Sequence, residues 1–162
     1  MFSIGDKIVY PMHGAGIIKE VREERVLGEL RSYYILQVPF GDMNIMIPVD
    51  SCREIGVRAV VSPEKISEML EVLRSASTEM PDNWNRRYRE NLDLLRTGDI
   101  CNVAAVVRNL MRNDGIRKLS AGEKKMLANA RQVLVSEMIL AIDVDRDCAE
   151  RTILSAVKEF QS

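Results

Sequence analysis

The stretch PDNWNRRYREN, residues 81–91, holds the chain's single tryptophan, Trp84, followed at once by Arg86, Arg87 and Arg89. An indole beside three guanidinium groups is suited to nucleic-acid contact. The cations attract phosphates, and the ring can stack on an unpaired base or wedge into a kinked minor groove. Pro81, Asp82 and Asn83 come just before, as at many helix starts, so the three arginines lie within a turn of a helix entrance. The helix dipole disfavours cations there. Lys124 and Lys125 repeat the pattern near a second helix start, where Ser120 and Glu123 have capping-box spacing. Cations at two helix entrances suit phosphate binding, because helix N-termini also attract anions. The plain alternative is a solvated charged face, and composition alone favours it.

Trp84 has two readings. Trp84, Tyr88, Leu92 and Leu95 recur at spacings of four, four and three, the stripe of a core-facing helix side. Trp84 also stands on the first turn, next to the polar stretch SASTEMPD, where a ring can protrude. On the residues alone both stay open, and the wheel favours core.

Other chemistry finds little support. His13, the only histidine, sits in YPMHGAG without the nucleophile or orienting partner that a general base needs, and reads as a turn residue. HGAG lacks the spacing of a phosphate cradle. DVDRD, residues 143–147, resembles the start of a calcium loop, but Cys148 and Leu154 stand where that loop needs glycine and glutamate. Its acidic residues are expected to cap the last helix instead. Cys52, Cys101 and Cys148 are far apart and form no CxxC, so neither metal nor cofactor is expected. An odd cysteine count with no signal peptide points to a reducing cytoplasm, and no segment is apolar enough to span a membrane.

The elements that must position these residues fall into two sets. Net charge is -1, yet residues 86–131 hold eleven Lys or Arg against five Asp or Glu, between two acidic flanks. The first ~60 residues read as strands: DKIVYP, GAGIIKEV, SYYILQVPF and, after a turn at GDM, NIMIPV. Four or five strands in a meander are the material of a small SH3-like barrel. The glycines of GAGIIKEV mark a close backbone approach or a bulge.

After Val61 the period becomes helical. Ser62 caps a helix with Pro63 in its first turn and Ile66, Met69, Leu70 and Leu73 on its apolar side. A second helix starts at Asp82 or Asn83 and ends near Gly98, and Asp99 caps a third bearing Ile100, Val103, Val107 and Leu110. A fourth directs Leu127, Ala130, Leu134 and Met138 inward, and a last, roughly 146–160, presents Ala149, Ile153, Val157 and Phe160. The expected fold is α+β: a β-module, residues 1–60, then an all-α bundle, residues 61–162.

GDKIVYPMHGAGII with GVRAVV resembles the start of the CarD and CdnL family of bacterial transcription regulators. NWNRRYRENLDLLRTGD, VAAVVRNL and LSAGEKKMLANARQVLVSE resemble its helical domain, so the likeness covers nearly the whole chain in order. The first part also resembles the polymerase-interacting module of the transcription-repair coupling factor, whose helicase motors have no counterpart in these 162 residues.

The resemblance implies a Tudor-like β-module that binds the β subunit of RNA polymerase, and a helical domain that contacts promoter DNA and stabilises the open complex. It puts the protein in the bacterial cytoplasm, at the nucleoid through polymerase, with no membrane and no small-molecule substrate. In the family a tryptophan wedges into the minor groove at the upstream edge of the melted DNA, and Trp84 matches that position. Arg86, Arg87, Arg89 and Lys124 match basic positions on the DNA backbone. The sequence departs from the family where basic β-module residues help grip polymerase: Glu24 and Met46 stand there, with Arg25 beside the first. Two other classes remain beside this one. One is a protein-only adaptor with the helices as scaffold, which DNA dependence would separate from the regulator. The other is an enzyme, for which no catalytic constellation is present.

Overall fold

The computed structural model describes residues 2–40 and 43–159. Its first part is an antiparallel sheet of β1 (Lys7–Tyr10), β2 (Gly14–Val26), β3 (Glu29–Gln37), β4 (Asn44–Pro48) and β5 (Arg58–Ala59), with a short helix, α1 (Cys52–Ile55), before the last strand. Five longer helices follow: α2 (Pro63–Arg74), α3 (Trp84–Arg96), α4 (Ile100–Asp114), α5 (Ala121–Ile142) and α6 (Arg146–Glu159). The chain is therefore α+β, a β-module followed by a helical region, as the sequence implies. The expected turn at residues 41–43 falls largely outside the described residues, and Phe160 falls wholly outside them.

The sheet order β4-β3-β2-β1-β5 is a meander through four strands, with β5 returning to pair with β1. Gly16 is needed for a close approach, since a Cβ there would lie 2.6 Å from the Gln37 carbonyl oxygen and 2.7 Å from Leu36 Cγ. The register slip comes slightly later, between Ile18 and Glu20, where β2 bulges against β3. One face of the sheet buries Ile8, Ile18, Tyr34, Leu36 and Ile47. Past Ile18 the β2–β3 hairpin outgrows this core, and every residue from Val21 to Leu30 is exposed. His13 closes the β1–β2 turn, with its N–H on the Tyr10 carbonyl at 2.9 Å and its ring stacked on that of Tyr10.

The helices start where their caps dictate. The Ser62 hydroxyl accepts from the Lys65 N–H, and Asp99 accepts from the N–H groups of Cys101 and Asn102. Asp145 accepts from the Cys148 N–H at 2.7 Å, so the acidic run does cap α6. The helical core gathers Ile66, Met69, Leu73, Val107, Leu110, Leu134, Met138 and Ile153, all at most 2% exposed. Burying one such side chain contributes about 1.5–3 kcal/mol, which outweighs the few tenths that separate residue types in helix propensity. Among the described residues no helix is long and apolar enough to cross a membrane.

The basic block does not stay on the surface as a unit. Arg108 and Arg112 of α4 are buried and serve the C-terminal end of α2. Arg108 Nη1 donates to the Val72 carbonyl and the Ser75 hydroxyl, both at 2.9 Å. Arg112 Nη2 donates to the Leu73 carbonyl at 2.8 Å, and its Nη1 to the Ser75 carbonyl at 2.6 Å. Cations at a helix C-terminus oppose the negative end of its dipole. Burial pushes both guanidinium pKa values down, but arginine starts high enough to remain charged at neutral pH. Asn109 adds its side-chain oxygen to the Thr78 N–H. The polar stretch before α3 is thereby fastened, and α3 leaves it in a defined direction.

Candidate nucleic-acid interface

α3 starts at Asn83, whose side-chain oxygen accepts from the Arg86 N–H at 3.0 Å. Trp84 and Arg87, three residues apart, therefore share one side of the first turn. α5 starts at Ser120 with the expected capping box: the Ser120 hydroxyl accepts from the Glu123 N–H, and Glu123 accepts from the Ser120 N–H. The two entrances meet residue for residue. Trp84 Nε1 donates to Ser120 Oγ at 2.9 Å. Arg87 Nε and Nη2 donate to the two carboxylate oxygens of Glu123 at 2.8 and 3.2 Å. The Ser120 hydroxyl in turn donates to Glu123 Oε1 at 3.1 Å, which closes the circuit.

The indole is 46% exposed and lies outside the core cluster. One face stacks on Tyr88, with centroids 5.9 Å apart and planes 18° from parallel. The stripe expected from the wheel is real for the rest of α3, since Leu95 is buried and Tyr88 and Leu92 pack against the core. It does not continue to its first member.

Near the starts of α3 and α5, Arg86, Arg89, Lys124 and Lys125 are exposed. Arg86 has an i,i+4 ion pair with Glu90 at 2.9 Å, with 73% and 50% of the side chains exposed. A pair so wetted contributes little and costs little to break.

Arg87 has a different place from the one expected of it. Its side chain is 10% exposed, and its Nη1 also donates to the carbonyls of Pro81 and Asp82 at 3.2 Å. The charge is engaged inside the protein rather than presented on the surface. Hydrogen bonding from Arg87 holds the Glu123 carboxyl below the usual carboxylate range, and Glu123 raises the Arg87 pKa in return. Arg87 thus supports the entrance of α3, while Trp84, Arg86, Arg89 and Lys124 are exposed.

The β-module residues singled out from the sequence fall in two places. Met46, on edge strand β4, is 42% exposed and pairs with Ile35. Glu24 pairs with Arg31 on the projecting hairpin, four residues further along β3, or roughly 13 Å. By strand alternation both lie on the face opposite Ile18, Leu36 and Ile47, while Arg25, paired with Leu30, lies on the other. Glu24 and Arg25 are exposed.

Helix α5 connects the module to this surface. Its middle is docked on the sheet: Ser136 Oγ accepts from the Ala15 N–H at 2.9 Å, and Leu140 packs with Val9 and Ala15. Arg58 of β5 holds Glu137, and Asn129 Nδ2 donates to the Met12 carbonyl. Sixteen residues separate Ser120 from Ser136, a rise of about 24 Å along one helix.

Among the residues that sequence reasoning missed are Ser120 as partner of the indole, Arg87 as partner of Glu123, and Arg58 as partner of Glu137. The capping-box spacing flagged Ser120 and Glu123, but only toward each other.

Comparison with known proteins accords with this architecture. Residues 2–61 match the family described as CarD-like/TRCF RID domain, and residues 68–154 match CarD, C-terminal domain. The chain is 39% identical over 138 residues to "Putative transcription factor YdeB" of Bacillus subtilis (strain 168), covering 85% of this chain and 90% of that one. With both halves matched in order, and a relative of that identity along most of its length, this chain belongs to the CarD-like family of transcription regulators.

Proposed function

We propose that this protein bridges RNA polymerase and promoter DNA and stabilises the open complex. The β-module, residues 1–60, binds the β subunit, and the helical region, residues 61–162, contacts DNA at the upstream edge of the melted segment. One observation carries the reading: an exposed indole is held at the joined entrances of two helices that also carry the exposed Arg86, Arg89 and Lys124. In this reading the arginines and lysine bind backbone phosphates while the indole enters the minor groove. On the other half, strand β4 is at the edge of the sheet among the described residues, the kind of surface that accepts a partner's strand. Its Met46, and Glu24 and Arg25 on the hairpin, are the side chains proposed to meet polymerase. The protein acts by binding and has no part in bond chemistry.

A net charge of -1 gives no general affinity for DNA, so polymerase must deliver the helical region. The docked α5 fixes the distance between the two binding surfaces, and a fixed tether gives the second contact a high effective concentration. The open state gains only the difference in affinity between melted and closed DNA, but about 1.4 kcal/mol already shifts that equilibrium tenfold.

The test is a promoter footprint with polymerase, with and without the protein, comparing wild type with a variant carrying Arg86→Glu, Arg89→Glu and Lys124→Glu. The expected result is upstream-edge protection that the variant loses while still co-purifying with polymerase. Protection retained by the variant would overturn the DNA surface, and failure of wild type to bind polymerase would overturn the bridge.

A further inference from the structure

We infer that Ser120 is a positioning residue for the indole: it binds Trp84 Nε1 and so fixes how the ring is presented. The inference rests on the reading of Trp84 as the DNA-contacting ring. A hydroxyl has one proton to donate and two lone pairs to accept with, and Ser120 uses all three. It accepts from the indole at 2.9 Å and from the Glu123 N–H at 3.2 Å, and it donates to Glu123 Oε1 at 3.1 Å. With its proton directed at Glu123, a lone pair is aimed at the indole, so the hydroxyl cannot rotate away without losing a bond to the carboxylate. Glu123 is itself fixed by two bonds from Arg87, which lies one turn after Trp84 on the same helix. The ring is thus held at two points, its N–H by the α5 cap and one face by Tyr88.

This has a consequence for recognition. The N–H is the ring's one hydrogen-bond donor, and minor-groove base edges offer mainly acceptors. With that donor engaged by Ser120, the indole meets DNA as an apolar plate. A plate is indifferent to base identity.

Trp84 is the only tryptophan, so its fluorescence reports this contact directly. The experiment compares Ser120→Gly and Ser120→Thr in the wild-type chain, and Ser120→Gly again in a Trp84→Phe chain, with Trp84→Ala as reference. Glycine is a tolerable N-cap, so the helix start is retained. Expected for Ser120→Gly is lower indole anisotropy at unchanged overall tumbling, and an open-complex lifetime shorter by about fivefold, the worth of one hydrogen bond. Threonine should restore both, and in the Trp84→Phe chain Ser120→Gly should leave the lifetime unchanged. Equal shortening in both backgrounds would reduce Ser120 to an ordinary cap, and unchanged anisotropy would overturn the positioning role. If Trp84→Ala leaves the lifetime unaltered, the reading of Trp84 as a DNA contact fails instead, and the anisotropy of Ser120→Gly decides by itself whether Ser120 holds the ring.

Discussion

Arg58 and Glu137 join β5 to α5 by a two-pronged ion pair, Nη1 to Oε2 at 2.7 Å and Nη2 to Oε1 at 2.8 Å. Glu137 is 1% exposed and also accepts from the Val61 N–H at 2.9 Å, while Arg58 Nε donates to the Gly98 carbonyl. Four segments therefore converge on one carboxylate–guanidinium pair at the seam between module and helices. Removing Arg58 would leave a buried carboxylate with a single backbone donor. Arg58→Met is expected to destabilise the protein by about 3 kcal/mol, and Arg58→Met with Glu137→Met to recover a good part of that. Thermal melting of the two variants checks it, and an additive double variant would count against the pairing.

The Arg87–Glu123 pair makes a prediction about acid. The folded-state pKa of Glu123 is depressed, first by its hydrogen bonds from Arg87. A depressed carboxyl contributes stability that is fully present above its unfolded value, about 4.3, and is lost as pH falls through the lower folded value. Melting temperature should therefore fall on acidification below about pH 4.3. Glu123→Gln should melt lower at neutral pH but change less over that acid range. Parallel acid limbs for the two proteins would show that Glu123 is not a principal titrating group.

Arg86 and Arg87 are neighbours with opposite expected behaviour. Arg86→Glu should leave the melting temperature nearly unchanged, because its partner Glu90 is half exposed. It should reduce the salt dependence of promoter contact by about 0.9 for each phosphate no longer neutralised. Arg87→Glu should instead set two carboxylates together in a buried place and lower the melting temperature sharply. Salt titrations of the complex and melting curves of the free proteins separate the two effects.

In the module, Gly16→Ala should cost about 1–3 kcal/mol, the usual range for overpacking. The added carbon would meet the Gln37 carbonyl and Leu36, and backbone cannot step aside as a side-chain end can. The check is the urea midpoint, and an unchanged midpoint would mean that β2 and β3 separate there without penalty.

Much of this was legible in the sequence wherever a residue acts on its near neighbours. Ser62, Asn83, Asp99 and Ser120 each bond to a backbone N–H two or three positions on, so their roles follow from spacing alone. The glycine-rich start of β2 was readable for a similar reason. Arg86 and Arg87 could not be told apart that way, since successive helical residues point about 100° apart and only the neighbouring helix decides which one is covered. Trp84 fitted a core stripe because a helical wheel contains one helix. The atom that binds its N–H lies 36 residues away, on α5. Arg108 and Arg112 counted toward a basic surface until the fold turned them onto the end of α2. Charge counted along the chain says nothing of which side chains reach solvent.

Trp84→Ala draws these threads into one measurement. A buried tryptophan cut to alanine costs about 3–5 kcal/mol. This one is 46% exposed, so what it loses is a partial burial, one stack on Tyr88 and one hydrogen bond. The stack and the hydrogen bond contribute about 0.5–1.5 kcal/mol each and the partial burial adds to them, so the variant should lose stability but keep its fold. Among the described residues the β-module makes no hydrogen bond to the ring, so polymerase affinity should be unchanged. On the proposed reading open-complex lifetime should fall, because a wedging ring favours DNA only where the duplex is bent or opened. Trp84→Phe should recover part of it, since the smaller ring still stacks but has no N–H for Ser120. Melting curves, polymerase binding and open-complex decay on a single promoter give the three readouts. Normal decay in the folded fraction, whatever the loss of stability, would return the ring to a structural role.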